Sequence, residues 1–271
     1  MQDNALIIDK ALNPKLQSLF KKFDATELKF RAITDKEQFS SFIAKSAFVC
    51  QHTEDISRYF NGYNEQSDKK AIATVLHNCI TVVSNCEMQL DENCTKLFSI
   101  NIWVYKIDLK SVDCSNAKIL DRMFMNCFKL RELIWDDSIA NAEITSINET
   151  FAYNRFREID LTMFNLSNCK SAGSTFVMCK DLENVKFNKD IRIENLKTIA
   201  SMFYGCKSLR ALDLSNFDFK NLKTANKFIV NSGVENVDLT NKHFESIIKD
   251  DYVMEGWRIR RYDGIKLPAV K

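Results

Sequence analysis

A phenylalanine recurs at a nearly constant interval through the middle of the chain. Successive members of the series are 26, 27, 25, 27 and 25 residues apart, at Phe98, Phe124, Phe151, Phe176, Phe203 and Phe228. A period of this length is typical of repeat proteins, because a single unit cannot bury its hydrophobic face and must stack on its neighbours. The interval therefore predicts an elongated repeat architecture over about residues 98–239.

Each unit also has a short strand signal after its phenylalanine. Three apolar residues follow with the spacing L-x-x-L-x-L, at Val104, Ile107 and Leu109; Leu130, Leu133 and Trp135; Phe156, Ile159 and Leu161; Leu182, Val185 and Phe187; Leu209, Leu212 and Leu214; Val234, Val237 and Leu239. This spacing predicts one strand per unit, pairing in parallel with the next, and a helical or 3₁₀ turn before each phenylalanine. The expected fold class is α/β, a leucine-rich-repeat solenoid with short parallel strands.

Two units share a recognisable sequence motif. They read Met123-Phe124-Met-Asn-Cys127-Phe-Lys-Leu130 and Met202-Phe203-Tyr-Gly-Cys206-Lys-Ser-Leu209-Arg-Ala-Leu212-Asp-Leu214-Ser. This resembles the M-F-x-x-C-x-x-L-x-x-L-D-L-S phrase of the BspA-like bacterial surface-protein repeats, also found in mycoplasma-type lipoproteins. The resemblance covers roughly residues 98–240. It implies a leucine-rich-repeat solenoid that acts in adhesion or protein binding without catalysis, with a host factor as one candidate partner.

The regions on either side of the repeats predict three parts. Residues 1–70 form a helical N-terminal segment, residues 71–241 the solenoid with a degenerate first coil, and residues 242–271 a C-terminal cap and tail. In the first part, Asn13-Pro14 predicts a helix start, Leu28-Lys-Phe30 a brief strand and Thr34-Asp35 a second helix start. A third helix is expected from Thr53.

Charge and hydropathy limit the classes of partner. With 38 basic and 36 acidic residues the net charge is +2, so no overall field draws the chain onto nucleic acid or an anionic membrane. No apolar run approaches the ~20 residues that span a bilayer, and the start lacks a signal-peptide pattern. We expect a soluble, cytoplasmic monomer; a trimmed start would make it an exported effector or surface protein. The odd count of nine cysteines, with no CxxC pair, favours a reducing compartment.

A column of cysteine and asparagine lies three residues after the phenylalanines: Asn101, Cys127, Asn154, Cys179, Cys206 and Asn231. Small polar side chains at one interior position of stacked units can satisfy backbone groups of the turns. This interpretation is favoured over metal or redox chemistry, and we expect no metal site and no cofactor.

The outward positions of the strands are the predicted binding surface. The first exposed position includes the expected anchors Tyr105, Arg131, Arg157 and Arg210, whose residue types are enriched at binding hot spots. The position between the last two apolar residues includes Asp108, Asp160, Asp213 and Asp238. Neighbouring carboxylates in a column of aspartates alone would repel each other at the ~4.8 Å spacing of strands, and the positive charges of the arginines would offset this repulsion. We expect a concave, mixed-charge face that binds a protein. The alternative is that these charged side chains are exposed to solvent and neutralise one another without binding a partner.

Enzyme chemistry has little support in the sequence. The three histidines lie in separate segments without a local catalytic motif, and there is no glycine-rich phosphate loop. The alternative function is a thiol-dependent enzyme that uses Cys50 and His52. A basic-aromatic cluster around Trp257 and Arg258 could grip nucleic acid, but a capping strand explains it equally well, so no nucleic acid is expected.

Overall fold

The protein has a mixed α/β structure. A computed structural model describes residues 5–60, 63, 65, 66, 68–238, 265 and 266, with the backbone alone for residues 48, 236–238, 265 and 266. The described α-helices are α1 (Asn13–Phe23) and α2 (Lys36–Val49). The described strands are β1 (Leu6–Ile8), β2 (Glu27–Ala32), β3 (His52–Asp55), β4 (Ala71–Leu76), β5 (Cys79–Ser84), β6 (Met88–Leu90), β7 (Lys106–Asp108), β8 (Glu132–Ile134), β9 (Glu158–Leu161), β10 (Asn184–Phe187), β11 (Ala211–Asp213), β12 (Asn236–Asp238) and β13 (Ile265–Lys266).

A six-stranded mixed sheet is the largest element. Its strand order is β3-β4-β5-β2-β7-β8. The β3–β4 and β4–β5 pairs are antiparallel, and β5–β2, β2–β7 and β7–β8 are parallel. The other pairs are β1–β6 and β9–β10, both parallel, and a three-stranded sheet with the order β11-β12-β13.

This arrangement shows that the predicted leucine-rich-repeat solenoid is wrong. The chain folds as a mixed α/β protein around a six-stranded sheet, not as a solenoid of parallel strands. The expected degenerate first coil instead contains the β4–β5 hairpin, whose β-branched residues pair in antiparallel register from Ala71↔Ser84 to Leu76↔Cys79. The strands after β8 pair separately, so they do not continue that sheet.

The first part of the chain combines helices with strands. Helix α1 has Pro14 in its first turn and buries Leu16, Leu19 and Phe20, as predicted from their spacing. Helix α2 begins after Asp35, whose Oδ1 accepts a hydrogen bond from the Gln38 N–H at 2.7 Å.

The short strand predicted at Leu28-Lys-Phe30 is confirmed and belongs to β2. The third helix is not formed, because residues 52–55 pair with β4 as strand β3, and only a 3₁₀ turn over Ser57–Tyr59 follows.

The recurring phenylalanines lie in a buried column. Neighbouring ring centroids from Phe98 to Phe228 are 5.6, 5.9, 5.6, 5.2 and 5.6 Å apart, and the first four pairs are stacked. Each ring sits in a turn rather than the predicted helical arc, because left-handed residues interrupt the backbone. Arg122 (φ 58°) and Asn126 (φ 62°) flank Phe124 in this way.

The division of the chain at residue 70 stays a prediction, but the sheet crosses that point. Strand β2 precedes it and lies between β5 and β7, which follow it. The predicted cap over residues 242–271, including the Trp257 cluster, lies outside the described residues except for the backbone of β13.

Candidate functional site

The four predicted anchor residues occupy equivalent places in the fold. Tyr105, Arg131, Arg157 and Arg210 directly precede β7, β8, β9 and β11. Tyr105 is 46% exposed, and the side chains of Arg157 and Arg210 are 77% and 66% exposed. We call these four residues, with the aspartates of the neighbouring strands, the strand face.

Two of the arginines are partly engaged by the next unit. Arg157 Nη2 lies 2.7 Å from Glu183 Oε1, and Nε donates to the same oxygen at 3.0 Å. Arg210 Nη1 lies 3.7 Å from a Glu235 oxygen. Arg131 Nη1 donates to the Leu130 and Phe128 carbonyls at 3.1 and 3.3 Å. These contacts leave guanidinium donors on an exposed surface, where such ion pairs contribute little to stability.

The aspartates of the strand face stabilise turns through hydrogen bonds from their side chains to the backbone. Oδ1 of Asp108, Asp160 and Asp213 accepts from the backbone N–H two residues later, at 3.1, 2.9 and 3.0 Å. Such contacts define Asx turns. The hydrogen bond from the Thr162 hydroxyl lowers the pKa of Asp160, and that from Lys189 lowers the pKa of Asp213 to about 2. For Asp238 only the backbone, at the end of β12, is described.

Exposed apolar side chains collect beside the first anchors. This aromatic patch consists of Ile100, Ile102, Trp103, Tyr105, Phe128 and Tyr153, each more than a third exposed. Backbone hydrogen bonds join its three segments, from Ile100 N to Met125 O at 2.8 Å and from Asn126 N to Ala152 O at 3.0 Å. Lys129 Nζ lies 4.9 Å from the Trp103 ring centroid. Of these six residues only Tyr105 was predicted, because the other five lie in the loops before the strands and not at the predicted strand positions.

The backbone ladder opens between β8 and β9. These strands are not hydrogen-bonded to each other, whereas β7–β8 and β9–β10 are paired; a second break of this kind lies between β10 and β11. A cavity of about 270 Å³ lies there, lined by apolar and charged residues: Arg131, Glu132, Leu133, Ile134, Trp135, Phe151, Phe156, Glu158, Ile159, Asp160 and Leu161. We call it the β8–β9 cleft.

Trp135 gives a physical reason for the opening. Its ring packs edge-on against Phe124 and Phe164, with centroids 5.7 and 5.1 Å away. The equivalent position is leucine at 109, 161 and 214, and an indole needs more room than these side chains. Phenylalanine occupies it at 187, in β10, which is likewise not paired with the following strand. Ile134 is a second exception, because it stands where aspartate is found at 108, 160 and 213; Lys186 departs from aspartate as well, but only Ile134 is apolar. Together these two substitutions were the available sequence signal for the cleft.

Five of the six members of the cysteine and asparagine column donate to a backbone carbonyl, as predicted; the exception is Asn231, which is exposed and donates to the Tyr204 hydroxyl at 3.1 Å. Sγ of Cys127, Cys179 and Cys206 donates at 3.0 Å to the carbonyl of the phenylalanine one unit earlier, and Asn154 Nδ2 does so at 2.9 Å. Burial raises the pKa of Cys127 and Cys179 to about 12. In the part of the chain that the structure describes, no group of three His, Cys, Asp or Glu residues is placed to hold a metal.

Cys50 and His52 are not joined in a catalytic pair. His52 Nε2 lies 3.0 Å from Glu54 Oε2, and Lys15 Nζ binds both oxygens of that carboxylate at 2.6 Å. The hydrogen bond from Lys15 lowers the pKa of Glu54. Among the described residues, the Cys50 thiol has no hydrogen bond to the imidazole. The cluster is a local ion network between α1 and β3.

A protein-family model matches residues 92–192 and, in an overlapping second match, residues 134–243. Its description is "Mycoplasma protein of unknown function, DUF285". The two matches together span more than half of the chain. The chain belongs to the DUF285 family.

The DUF285 matches include all eight predicted strand-face residues, the aromatic patch and the β8–β9 cleft, and they exclude Cys50 and His52. DUF285 is associated with Mycoplasma and often occurs in BspA-like surface proteins, which agrees in part with the resemblance. No curated protein and no solved structure matches the chain. Neither helix in the described ranges has the length and apolar character to cross a membrane.

Proposed function

We propose that this DUF285 protein is a non-catalytic protein-binding module that recognises a protein partner through the strand face. The aromatic patch is the observation that carries the proposal. Six large side chains, including the anchor Tyr105, are exposed on three segments that backbone hydrogen bonds join, and the anchor Arg131 follows the second of these segments. Contiguous apolar surface on a folded domain marks an interaction site, and tryptophan, tyrosine and arginine are enriched among the residues that dominate binding energy.

The contacts of the strand face suggest a division of roles within it. The aspartates accept hydrogen bonds from their own turns, so their main contribution is to shape the surface. Tyr105, Arg157 and Arg210 extend into solvent and keep polar groups available for a partner. Charged groups at the edge of an apolar contact mainly steer association and set specificity.

Membership of the DUF285 family supports binding over catalysis, because the family often occurs in BspA-like surface proteins. A host protein is therefore a partner class to test directly. The partner would meet an apolar centre at the aromatic patch and a mixed-charge margin along the strand face.

The test is a variant that removes all four anchors: Tyr105→Ala, Arg131→Ala, Arg157→Ala and Arg210→Ala. The intact chain is used to isolate and identify a partner, and its affinity is then measured for both proteins. We expect the dissociation constant to rise at least a hundredfold, since several hot-spot side chains are lost together.

A matched control removes three positive charges elsewhere. Lys170, Lys197 and Lys223 are exposed and lie on a separate ladder, where the backbone N–H of each later lysine donates to the carbonyl of the one before at 2.8 Å. Changing these three lysines to alanine should leave the affinity within about threefold of wild type. Equal affinities of the four-anchor variant and wild type would disprove binding through the strand face.

A further inference from the structure

The β8–β9 cleft has the size of a site for one side chain. Small-molecule and cofactor sites commonly enclose ~300–1,000 Å³, and the cleft volume of about 270 Å³ lies below that range. Its apolar lining includes Phe156 and Ile159, which are buried, and Leu133 and Trp135, which are partly exposed. A core that is reachable from outside in this way can receive an apolar group.

The polar atoms around the cleft limit what that group can be attached to. Glu132 and Glu158 are about half exposed, and Asp160 is exposed, while Arg131 is the one cation among the lining residues. Lys106 and Lys186 bind Glu132 and Glu158 at 2.8 and 2.6 Å from the neighbouring strands. With these two lysines and Arg131 the charges around the cleft balance. Lys106 contacts Oε2 of Glu132 and Lys186 contacts Oε1 of Glu158, so the second oxygen of each half-exposed carboxylate can accept a hydrogen bond from a basic group of the partner.

The backbone around the cleft is also available. Among the described strands, none pairs with β8 on the side that faces β9, and none pairs with β9 on the side that faces β8. Trp135 lines the cleft, and its indole N–H has no acceptor among the described residues. An extended polypeptide can bind to open strand edges and single N–H donors, because its main chain supplies both the donors and the acceptors that these groups need.

We propose that the β8–β9 cleft binds an extended segment of a partner protein in which a large apolar side chain is adjacent to a lysine or arginine. The apolar side chain enters between Trp135 and Ile159, and the basic group meets the carboxylates of Glu132 and Glu158. This inference rests on the proposed protein-binding function and assigns its specificity to one place in the strand face.

The experiment selects random 12-residue peptides on the immobilised full chain and measures a synthetic copy of the most enriched sequence by fluorescence anisotropy. We expect the enriched peptides to share an aromatic or aliphatic residue next to a lysine or arginine. Ile134→Asp should weaken binding at least tenfold, because it places a carboxylate beside the apolar lining. Aspartate already occupies the equivalent positions 108, 160 and 213, so the fold should accept it.

Charge is tested separately. The double change Glu132→Gln and Glu158→Gln should weaken binding of the selected peptide at least fivefold at low salt. Glu143→Gln, at an exposed position outside the cleft lining, should leave it unchanged. Loss of the motif among enriched peptides, or failure to enrich any peptide, would overturn the inference.

Arg210→Ala separates the cleft from the wider strand face, because Arg210 precedes β11 and does not line the cleft. Peptide binding that is reduced by Ile134→Asp and unchanged by Arg210→Ala supports the cleft. Binding reduced by Arg210→Ala and unchanged by Ile134→Asp refutes the cleft and retains the strand face. If neither change matters, the cleft is refuted, and the four-anchor variant then decides the strand face.

Discussion

A side-chain donor at an equivalent interior position connects each of the first four buried phenylalanine turns, those of Phe98, Phe124, Phe151 and Phe176, to the next turn. Thiols and amides share this position because each can donate to the same carbonyl, as Cys179 Sγ and Asn154 Nδ2 do. The common requirement is thus a hydrogen-bond donor of small size rather than a thiol. This explains why cysteine and asparagine alternate without any metal-ligand spacing.

Replacing Cys179 tests whether the donor matters. We expect Cys179→Ala to lower the free energy of unfolding by about 1 kcal/mol more than Cys179→Ser, because serine keeps a donor for the Phe151 carbonyl. Urea denaturation monitored by circular dichroism measures the difference. If the serine variant were the less stable of the two, the sulfur would act through packing alone.

Thiol reactivity should follow burial. Burial raises the pKa of Cys114, Cys127, Cys169 and Cys179 to about 12, and it also raises the pKa of Cys94 and Cys206. At pH 8 these six groups are protonated thiols, and only the thiolate is a strong nucleophile.

In the native protein we therefore expect an aromatic disulfide reagent to label the partly exposed Cys50 and Cys86 within minutes, and the partly exposed Cys79 more slowly because burial raises its pKa as well. The other six cysteines should react only after unfolding, and peptide mapping by mass spectrometry identifies the labelled sites. A single cysteine that reacts much faster than a free thiol would instead favour the thiol-enzyme alternative.

At the scale of elements, an ion pair joins two segments whose strands are not in one sheet. Lys189 follows β10 and its Nζ lies 2.5 Å from Asp213 Oδ2 at the end of β11. Its hydrogen bond lowers the pKa of Asp213 from 3.8 to about 2. A lowered folded-state pKa gives stability that is present above the unfolded value and lost as the pH falls through the folded value.

Asp213→Asn should therefore reduce the dependence of unfolding free energy on pH between about 4 and 2. The amide oxygen can still accept from the Ser215 N–H, so the turn is kept. The effect is expected to be small because both partners are about half exposed. The measurement is urea denaturation of both proteins at several pH values. Parallel pH profiles would show that the ion pair does not contribute.

The helices and β2 could be predicted because their signals are local. Pro14 and Asp35 mark helix starts, and the spacing of Leu16, Leu19 and Phe20 gives the buried face. The pairing of β2 between β5 and β7 could not be predicted, since it depends on contacts between segments about 50 and 80 residues apart in sequence. The β-branched hairpin was missed because Ile80 and Val82 also fit the repeat spacing.

The candidate site was predictable only in part. The exposure of Tyr105, Arg157 and Arg210 follows from strand alternation. The turn-holding role of Asp160 and the opening beside Trp135 depend on three-dimensional contacts that a column of aligned residues does not contain. Ile134 and Trp135 could be recognised in the sequence as exceptions to the repeat pattern. That they accompany an opening between β8 and β9 could be recognised only once the position of the Phe164 ring was known.

At the scale of the whole molecule, the N-terminal region completes the core of the region matched by the family. Leu28 and Phe30 of β2 are buried, and the Phe30 ring lies 6.2 Å from that of Phe98, the first ring of the phenylalanine column. Asn13 Nδ2 donates to the Lys96 and Ser99 carbonyls at 3.0 Å, which connects α1 to the same turn. The family-matched region, residues 92–243, lacks all of these contacts when it is separated.

A fragment of residues 92–243 should therefore fail to fold alone. Without β2, the inner edge of β7 and the end of the phenylalanine column are exposed to water, and both conditions promote association. We expect the fragment to aggregate or to unfold without a cooperative transition.

The control is the full chain with a protease site inserted between residues 61 and 68; after cleavage its two pieces should co-elute in gel filtration and unfold together. Cooperative unfolding of the isolated fragment at the denaturant midpoint of the full chain would show that residues 1–91 are an independent addition, and the boundary would then have to be drawn near residue 92 rather than residue 70.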